Sequence, residues 1–215
     1  MDIGKSFTFI FDDEDWVKQF LIGSLISMIP ILNFASLGYV VQLIRNVRDG
    51  YEHPLPQWEN FSEHFMNGLK LFVGMLVYFI PAFLFICVFV IAMIGLEGMG
   101  TGNGEALIVV LAICLSCGMF LLFIFPLLLF PALFAQFAQT DEISSLFRFG
   151  EIMALISQNL ANYLIVLAIT FVALDIIAPF GAILCFVGFI FAKWWAYLVF
   201  GNLTGQLIQE NVAYE

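Results

Sequence analysis

The 215-residue sequence is 62% hydrophobic and only 11% charged, whereas soluble domains average about 45–50% apolar and about 25% charged residues. So few charges could not cover a water-soluble globule of this size, and the net charge of −10 argues against nucleic acid, whose phosphates require Lys and Arg. The composition therefore predicts an all-α, polytopic integral membrane bundle, a single membrane domain over residues 1–215, with the lipid bilayer as solvent.

The first apolar segment covers residues 17–47 and is interrupted at Pro30 and Asn33. A spanning helix needs about 20 apolar residues, and neither half is that long. Two interpretations remain open, a re-entrant helical hairpin with its tip at residues 30–33 or a pair of short, tilted spanning helices. Length favours the hairpin, and its tip should then be covered by protein or line a wet cavity.

Residues 45–61 form the main polar segment, with Arg45 at the start, Trp58 near the end, and a turn marked by Gly50 and Pro54. Beyond it, an apolar stripe predicts an amphipathic helix in the membrane interface before the chain turns into the bilayer. The stripe consists of Phe61, Phe65, Leu69 and Phe72. Residues 144–158 resemble it, so we expect a second interfacial helix there.

Four later segments are apolar and long enough to be predicted as spanning helices. They cover residues 70–96, 106–131, 160–177 and 182–199, and a polar tail follows at 202–215. With the re-entrant hairpin the chain has four full spans, and with two spanning arms it has six.

Positive charge predicts the orientation, because cytoplasmic loops are enriched in Lys and Arg. Arg45, Arg48, Lys70 and Arg148 flank one set of loops, whereas the glycine-rich loop at 97–105 and the turn at 175–181 contain no Lys or Arg. The first set is therefore expected in the cytoplasm of a cell. Both termini are then cytoplasmic, whether the chain crosses the cell membrane four or six times.

Two charged residues in the last apolar segments are candidates for function, because charge at membrane depth is costly. Lys193 precedes Trp194, Trp195 and Tyr197. We favour the interpretation that Lys193 extends toward the headgroups and the three aromatic residues form an interfacial belt. The alternative is that Lys193 is buried in an ion pair or contacts a substrate. Asp175 is an ordinary solvated carboxylate if its turn is exposed. If it is buried, it could pair with a cation or carry a proton.

Other groups that could carry chemistry are sparse. His53 and His64 could in principle join the nearby carboxylates, but a solvated loop is the simpler interpretation. Cys114 and Cys117 have the spacing of a metal or redox pair, yet they lie in an apolar run without a second pair. We therefore predict no enzymatic activity, no cofactor and no metal site.

A series of residues between 11 and 70 carries a family resemblance. It consists of Phe11-x-Asp13-x-Asp15-Trp16, Ile29-Pro30-Ile31-Leu32-Asn33-Phe34, Gly38-Tyr39, Arg45-Asn46-Val47 and Gly50-x-x-x-Pro54-Leu55-Pro56-x-Trp58. The sequence resembles a family of prokaryotic multi-pass membrane proteins known only as domain of unknown function 4013. The resemblance implies a bacterial or archaeal cell membrane and no established activity.

Two functions compete on this basis. The first is a non-enzymatic subunit or scaffold that packs against other membrane proteins or against copies of itself. The second is a small-solute or ion transporter or channel that uses the broken N-terminal hairpin. The candidate functional or packing positions are Pro30, Asn33, Arg45, Trp58, Asp175 and Lys193.

Overall fold

The computed structural model describes residues 1–97, 105–183 and 187–213, and all regular structure in these ranges is helical. A π-helical segment, Val172–Ile177, and 3₁₀ turns at Phe9–Asp12, Trp58–Asn60, Ile143–Phe147 and Gly181–Ile183 join or extend the α-helices. The α-helices are α1 (Ile3–Thr8), α2 (Trp16–Met28), α3 (Asn33–Arg48), α4 (Phe61–Glu97), α5 (Glu105–Thr140), α6 (Phe149–Gln158), α7 (Leu160–Phe171), α8 (Ala178–Phe180) and α9 (Val187–Ala213).

Three helical stretches within the described residues are long and apolar enough to cross a membrane: Trp58–Ala92, Ala112–Thr140 and Leu160–Ile183. The prediction of an all-helical fold with helices able to span a membrane is thus confirmed. The fourth span predicted at 182–199 is not among the three; it includes residues 184–186, which lie outside the described ranges, so it stays a prediction. The glycine-rich loop, apart from its two end residues, and Cys185 lie outside the described residues.

The chain divides into two compact units, and the single membrane domain expected over residues 1–215 stays a prediction. Unit 1 comprises Met1–Gly74 and Pro131–Glu215, and unit 2 comprises Met75–Phe130. The division falls within the long helices α4 and α5, so each unit contains part of both.

In unit 1, α3 packs along α9, and α2 and α7 also contact α9. Gly201 of α9 lies against Val40 and Leu43, and Gly205 lies one turn further along against Val47. Residue numbers rise in the same direction on both helices, so α3 and α9 run parallel. Their first residues therefore lie at one end of unit 1, which we call the apolar end. The polar end comprises Arg45, Arg48, Asp141, Glu142 and Gln209.

The predicted break in the first apolar segment is present, because α2 ends at Met28 and α3 begins at Asn33. Pro30 has no N–H group to continue a helix, and the backbone N–H of Asn33 donates to the Ile29 carbonyl at 2.8 Å. The tip is not covered by the described protein, since Met28 is 64% exposed and Ile31 is 68% exposed. The apolar end of unit 1 thus includes an open, hydrophobic tip.

The amphipathic helix predicted at 61–72 is not a separate element, because α4 runs without interruption from Phe61 to Glu97. His64, Asn67 and Leu71 are buried on one face of its first turns. This face therefore packs against protein, whereas the apolar face of an interfacial helix would contact lipid. The second predicted helix does stand apart, as α6, which Asn159 separates from α7.

The segment expected as a polar tail continues α9 to Ala213. Leu203 and Leu207 are fully buried. On the same helix, Asn202 accepts a hydrogen bond from the Ser6 hydroxyl at 2.8 Å and another from the Gln206 amide at 2.7 Å. The polar residues are therefore used inside the protein, which hydropathy alone does not reveal.

In its described residues, 75–97 and 105–130, unit 2 consists of two apolar helical segments. Phe85 packs against Gly118. The ring centroids of Phe79 and Phe123 lie 6.3 Å apart, within the roughly 4.5–7 Å typical of aromatic pairs. Cys114 and Cys117 are free and exposed on α5. Many large apolar side chains of this unit are exposed, as expected for a surface in hydrocarbon; they include Ile80, Leu84, Ile91, Ile113 and Leu121.

Candidate functional site: an aromatic cluster in unit 1

Four aromatic side chains from different elements meet inside unit 1. We call Tyr39, Trp58, His64 and Trp194 the aromatic cluster. The rings of Tyr39 and Trp58 stack with centroids 4.4 Å apart, and Trp194 lies 5.5 Å from Tyr39. His64 closes the group at 5.5 Å from Tyr39 and 5.8 Å from Trp58. All four side chains are buried, so the cluster joins α3, α4, α9 and the 49–60 loop.

Glycines allow the helices to approach closely enough for these rings to touch. Gly38 of α3 faces the His64 carbonyl of α4, and Gly68 of α4 faces the Phe34 carbonyl of α3, with no room for a Cβ at either position. Close backbone approach is one of the specific uses of glycine. The Gly38-Tyr39 pair of the family motif therefore sets the distance between α3 and α4 and places Tyr39 in the cluster.

The loop that carries Trp58 is held by hydrogen bonds at both ends. The Asn46 side chain amide donates to the Pro54 carbonyl at 2.8 Å, and Gln42 supports Asn46 at 3.0 Å. The Trp58 indole N–H donates to the backbone carbonyl of Gln19 on α2 at 3.0 Å. Trp58 thus ties the loop to the first arm of the hairpin while its ring stacks on the second arm.

The His64 side chain is buried, and one of its ring nitrogens is within hydrogen-bond distance of a backbone oxygen. Its Nε2 atom lies 3.0 Å from the Gln57 carbonyl oxygen, and the residue is only 4% exposed. His53 is exposed and lines the same open groove of about 430 Å³ as His64, together with Glu59 and Glu63. The described residues contain no group of three or more His, Cys, Asp or Glu side chains placed to hold a metal ion.

The aromatic belt predicted around Lys193 is wrong for Trp194, which is fully buried. Its indole ring fills the space above Gly23 of α2, where a Cβ would overlap it. Among the described residues, the Trp194 indole N–H and the side-chain oxygen of Gln19 have no hydrogen-bond partner. Buried groups of this kind are uncommon and often mark an ordered water.

A second group of contacts fixes the polar end of unit 1. The Arg45 Nε atom donates to the Ala138 carbonyl at 3.0 Å, and Arg48 Nη1 donates to the same oxygen at 3.3 Å. Both cations sit at the C-terminus of α5, where the helix dipole favours positive charge. Arg45 also pairs with Asp141 at 2.9 Å, in an ion pair that lacks the alignment of a hydrogen bond. Arg48 lowers the pKa of the exposed Asp49 carboxyl by donating a hydrogen bond to it.

The six predicted positions do not form one site. Trp58 lies in the aromatic cluster and Arg45 lies at the polar end, whereas Pro30 and Asn33 lie at the hairpin tip. Asn33 contributes its backbone N–H to the tip, through the hydrogen bond to the Ile29 carbonyl.

The remaining two predicted positions lie on the last helices. Asp175 is exposed within the π-helical segment, in a helix that continues to Phe180, so it does not lie in a turn as predicted. Lys193 is half-buried, with its ammonium group 5.7 Å from the centre of the Tyr197 ring. Their roles stay predictions.

Sequence reasoning missed the cluster residues Tyr39, His64 and Trp194 as one group. Tyr39 was visible within the Gly38-Tyr39 motif, and its neighbour glycine was the signal that could have indicated close packing. Nothing in the local pattern around Trp194 separates a buried indole from an interfacial one. Its burial depends on Gly23, which is distant in sequence and lies on another helix.

Comparison with known proteins yields a family but no characterised relative. No curated protein and no solved structure matches the chain significantly. A family model described as "Protein of unknown function (DUF4013)" matches residues 22–187, from within α2 to the start of α9. The match covers well over half of the chain and bears out the family resemblance, so this protein belongs to the DUF4013 family of proteins of unknown function.

Proposed function

We propose that this protein is a non-enzymatic membrane subunit that assembles with copies of itself or with other membrane proteins. The observation that carries the proposal is that the residues of the family motif make contacts inside the protein. Gly38, Tyr39, Arg45 and Trp58 all hold helices of unit 1 together, through packing or hydrogen bonds to backbone carbonyls. A catalytic site would instead direct its polar groups toward a space that a substrate can occupy.

The transporter alternative predicts a hydrated cavity near residues 30–33. The grooves described in unit 1 are lined by residues near the polar end, in the 49–60 loop or in the first turns of α4. Gly50, Asn202 and Gln206, for example, line a groove of about 590 Å³. The hairpin tip instead presents Met28, Ile29 and Ile31 as exposed apolar side chains. This distribution supports a packing role over a transport path through the hairpin.

The arrangement in the membrane is part of the proposal. The 13 residues of α2 and the 16 residues of α3 extend about 20 Å and about 24 Å at helical rise, less than the roughly 30 Å of hydrocarbon. An apolar tip with arms this short is suited to a re-entrant hairpin. Exposed apolar residues along α2, at positions 17, 21, 25 and 28, would face lipid.

Clustered positive charge supports a cytoplasmic polar end. Arg45, Arg48 and Arg148 contact groups at or just beyond the C-terminus of α5, and Lys70 lines a groove with Asp141. Four cations thus lie near one end of unit 1, which fits the enrichment of Lys and Arg on the cytoplasmic side. We propose the cell membrane as the location, with both termini in the cytoplasm.

Assembly is tested by extracting the full-length protein with its native lipids into polymer-bounded discs and measuring the particle mass. The expected result is a particle that contains two or more copies, or one copy with a stoichiometric partner. Discs that contain a single copy and no other protein would refute the proposed function.

Orientation is tested with single cysteines introduced after removal of the native ones. Tyr51→Cys is expected to react with a membrane-impermeant maleimide only after the cells are opened, and Thr101→Cys in the predicted outer loop should react in intact cells. If the hairpin is re-entrant, Ile31→Cys reacts in neither case. Labelling of Ile31→Cys in intact cells would instead identify two spanning arms.

A further inference from the structure

Asp175 and Lys193 are the only charged residues between Glu151 and Glu210. Asp175 belongs to the candidate span Leu160–Ile183, about 22 Å from its first residue and about 12 Å from its last at helical rise. A hydrocarbon layer of roughly 30 Å that begins at Leu160 therefore includes the carboxyl. Lone charges at this depth are costly and are usually paired.

The immediate surroundings of Asp175 are apolar and exposed. Phe171, Val172 and Ile176 on the same helix are all at least 41% exposed, and Asp175 is exposed beside them. The backbone here is π-helical, with the Ala178 N–H bonded to the Ala173 carbonyl. Such π segments widen the helix by one residue and are frequent at functional sites. No ion pair of Asp175 exists among the described residues.

Lys193 is the matching cation on the neighbouring helix. The π segment packs against α9, and the backbone of Gly188 in α9 lies against Gly181. Lys193 lies about 8 Å beyond Gly188, and Asp175 lies about 9 Å before Gly181. The two residues are therefore at similar depth on the two arms of one helical hairpin. The ammonium group lies over Tyr197, one turn toward the polar end, and forms no ion pair within the described part of the chain.

We propose that a second copy of this chain packs against the π segment and α9 at Asp175 and Lys193. Asp175 of each copy then pairs with Lys193 of the other, so that two reciprocal ion pairs form. In a two-fold dimer the same patch meets itself, so that residue i contacts j and j contacts i. A two-fold axis along the membrane normal keeps both residues at their depth, so cross-pairing requires Asp175 and Lys193 to lie at similar depths, as the helical rise indicates. This inference rests on the proposed function, because it specifies the partner and the contact of the assembly.

Charge reversal in separate chains distinguishes pairing between copies from pairing within one copy. The Asp175→Lys chain carries two cations at this surface, and the Lys193→Asp chain carries two carboxylates. Each variant should therefore fail to associate with itself, because like charges face each other across the interface. Together they should associate, since both contacts of the mixed dimer then join a cation to an anion.

The experiment co-expresses two differently tagged copies and measures how much of one tag is recovered with the other in mild detergent. Relative to wild type, either variant paired with itself is expected to lose recovery by about tenfold or more, and the mixed pair should regain most of it. Unchanged self-association of both variants would overturn the inference. So would a mixed pair that is not rescued while the double variant Asp175→Lys/Lys193→Asp is, because that pattern requires a pair within one chain.

Cysteine cross-linking gives an answer that does not depend on reversed charges being tolerated. In a chain without native cysteines, a copy with Asp175→Cys and a differently tagged copy with Lys193→Cys should be joined by a short bifunctional maleimide. The control is Leu164→Cys with Lys193→Cys, because Leu164 is 53% exposed but lies about 16 Å from Asp175 along the helix.

The cross-linking result also separates failure of this contact from failure of the proposed function. Associated wild-type copies that give no mixed product for residues 175 and 193 would overturn the contact and leave the function standing. Wild-type protein that is monomeric in native-lipid discs, with no partner chain, would refute both.

Discussion

Gly38 and Gly68 lie against each other where α3 crosses α4. At each glycine, a backbone carbonyl of the other helix occupies the position that a Cβ atom would need. The obstructing atoms are the carbonyl oxygens of His64 and Phe34, which cannot move aside as a flexible side chain could. The separation of the two helices, and with it the stacking of Tyr39 on Trp58, therefore depends on both glycines.

The first prediction is that Gly38→Ala and Gly68→Ala each destabilise the protein, by about 1–3 kcal/mol, as expected for an overpacked contact. The matched control is Gly95→Ala in α4, because Gly95 has open space around it and alanine is the better helix former. The thermal unfolding temperature in detergent is the measurement. An unfolding temperature unchanged by both Gly38→Ala and Gly68→Ala would contradict the close crossing.

The second prediction concerns Trp58. Trp58→Phe keeps an aromatic ring but removes the indole N–H that donates to the Gln19 carbonyl and reduces the stacking area on Tyr39. We expect a loss of about 1–3 kcal/mol from the hydrogen bond and the ring contact together. The control is Trp195→Phe, since Trp195 is half-buried and lies outside the cluster, with its ring 5.6 Å from Phe7. Equal unfolding temperatures for the two variants would argue against the cluster as a structural centre.

The third prediction concerns Asp141, which follows α5 in a left-handed conformation with φ of 62° and pairs with Arg45. Asp141→Ala loses the ion pair and must still adopt the left-handed backbone, whereas Asp141→Gly loses the pair but adopts that backbone freely. The alanine variant should therefore be less stable than the glycine variant, by about 1 kcal/mol.

The measurement for Asp141 is again thermal unfolding, with Asp141→Asn as the third variant. Asparagine tolerates the left-handed conformation, so this variant should resemble Asp141→Gly. Identical unfolding temperatures for the alanine and glycine variants would show that the end of α5 does not require this backbone geometry.

The sequence allowed the class of fold to be predicted because its main determinant is local. Apolar runs of about 20 residues and the break at Pro30 are read directly from neighbouring positions, and both are present. The end of a helix at a polar segment is less certain, because polar residues can continue a helix when they pack inside the protein. Asn202 and Gln206 do so in α9, through Ser6 of α1.

The aromatic cluster could be predicted only in part. Trp58 and the Gly38-Tyr39 pair stood out within the motif, but their meeting with Trp194 depends on α9 returning beside α3 from a distant part of the chain. Asp175 illustrates the same limit, since Pro179 suggested a turn. In the structure the helix continues because proline is placed in the first turn of α8, where its missing N–H group is tolerated.

The last prediction tests whether the hairpin tip lies in hydrocarbon. Ile31 at the tip and Tyr51 at the polar end are similarly exposed, at 68% and 62%, so burial in the protein would not distinguish Ile31→Asp from Tyr51→Asp. If the tip is in hydrocarbon, a carboxylate there costs about 2.5–3.5 kcal/mol, as it does at the centre of a membrane helix, and the same charge at the polar end remains in water at little cost. Ile31→Asp should therefore reduce the amount of protein inserted in the membrane and its unfolding temperature, while Tyr51→Asp leaves both near wild type. Equal tolerance of the two substitutions would place the tip in water and would favour two crossing arms over a re-entrant hairpin.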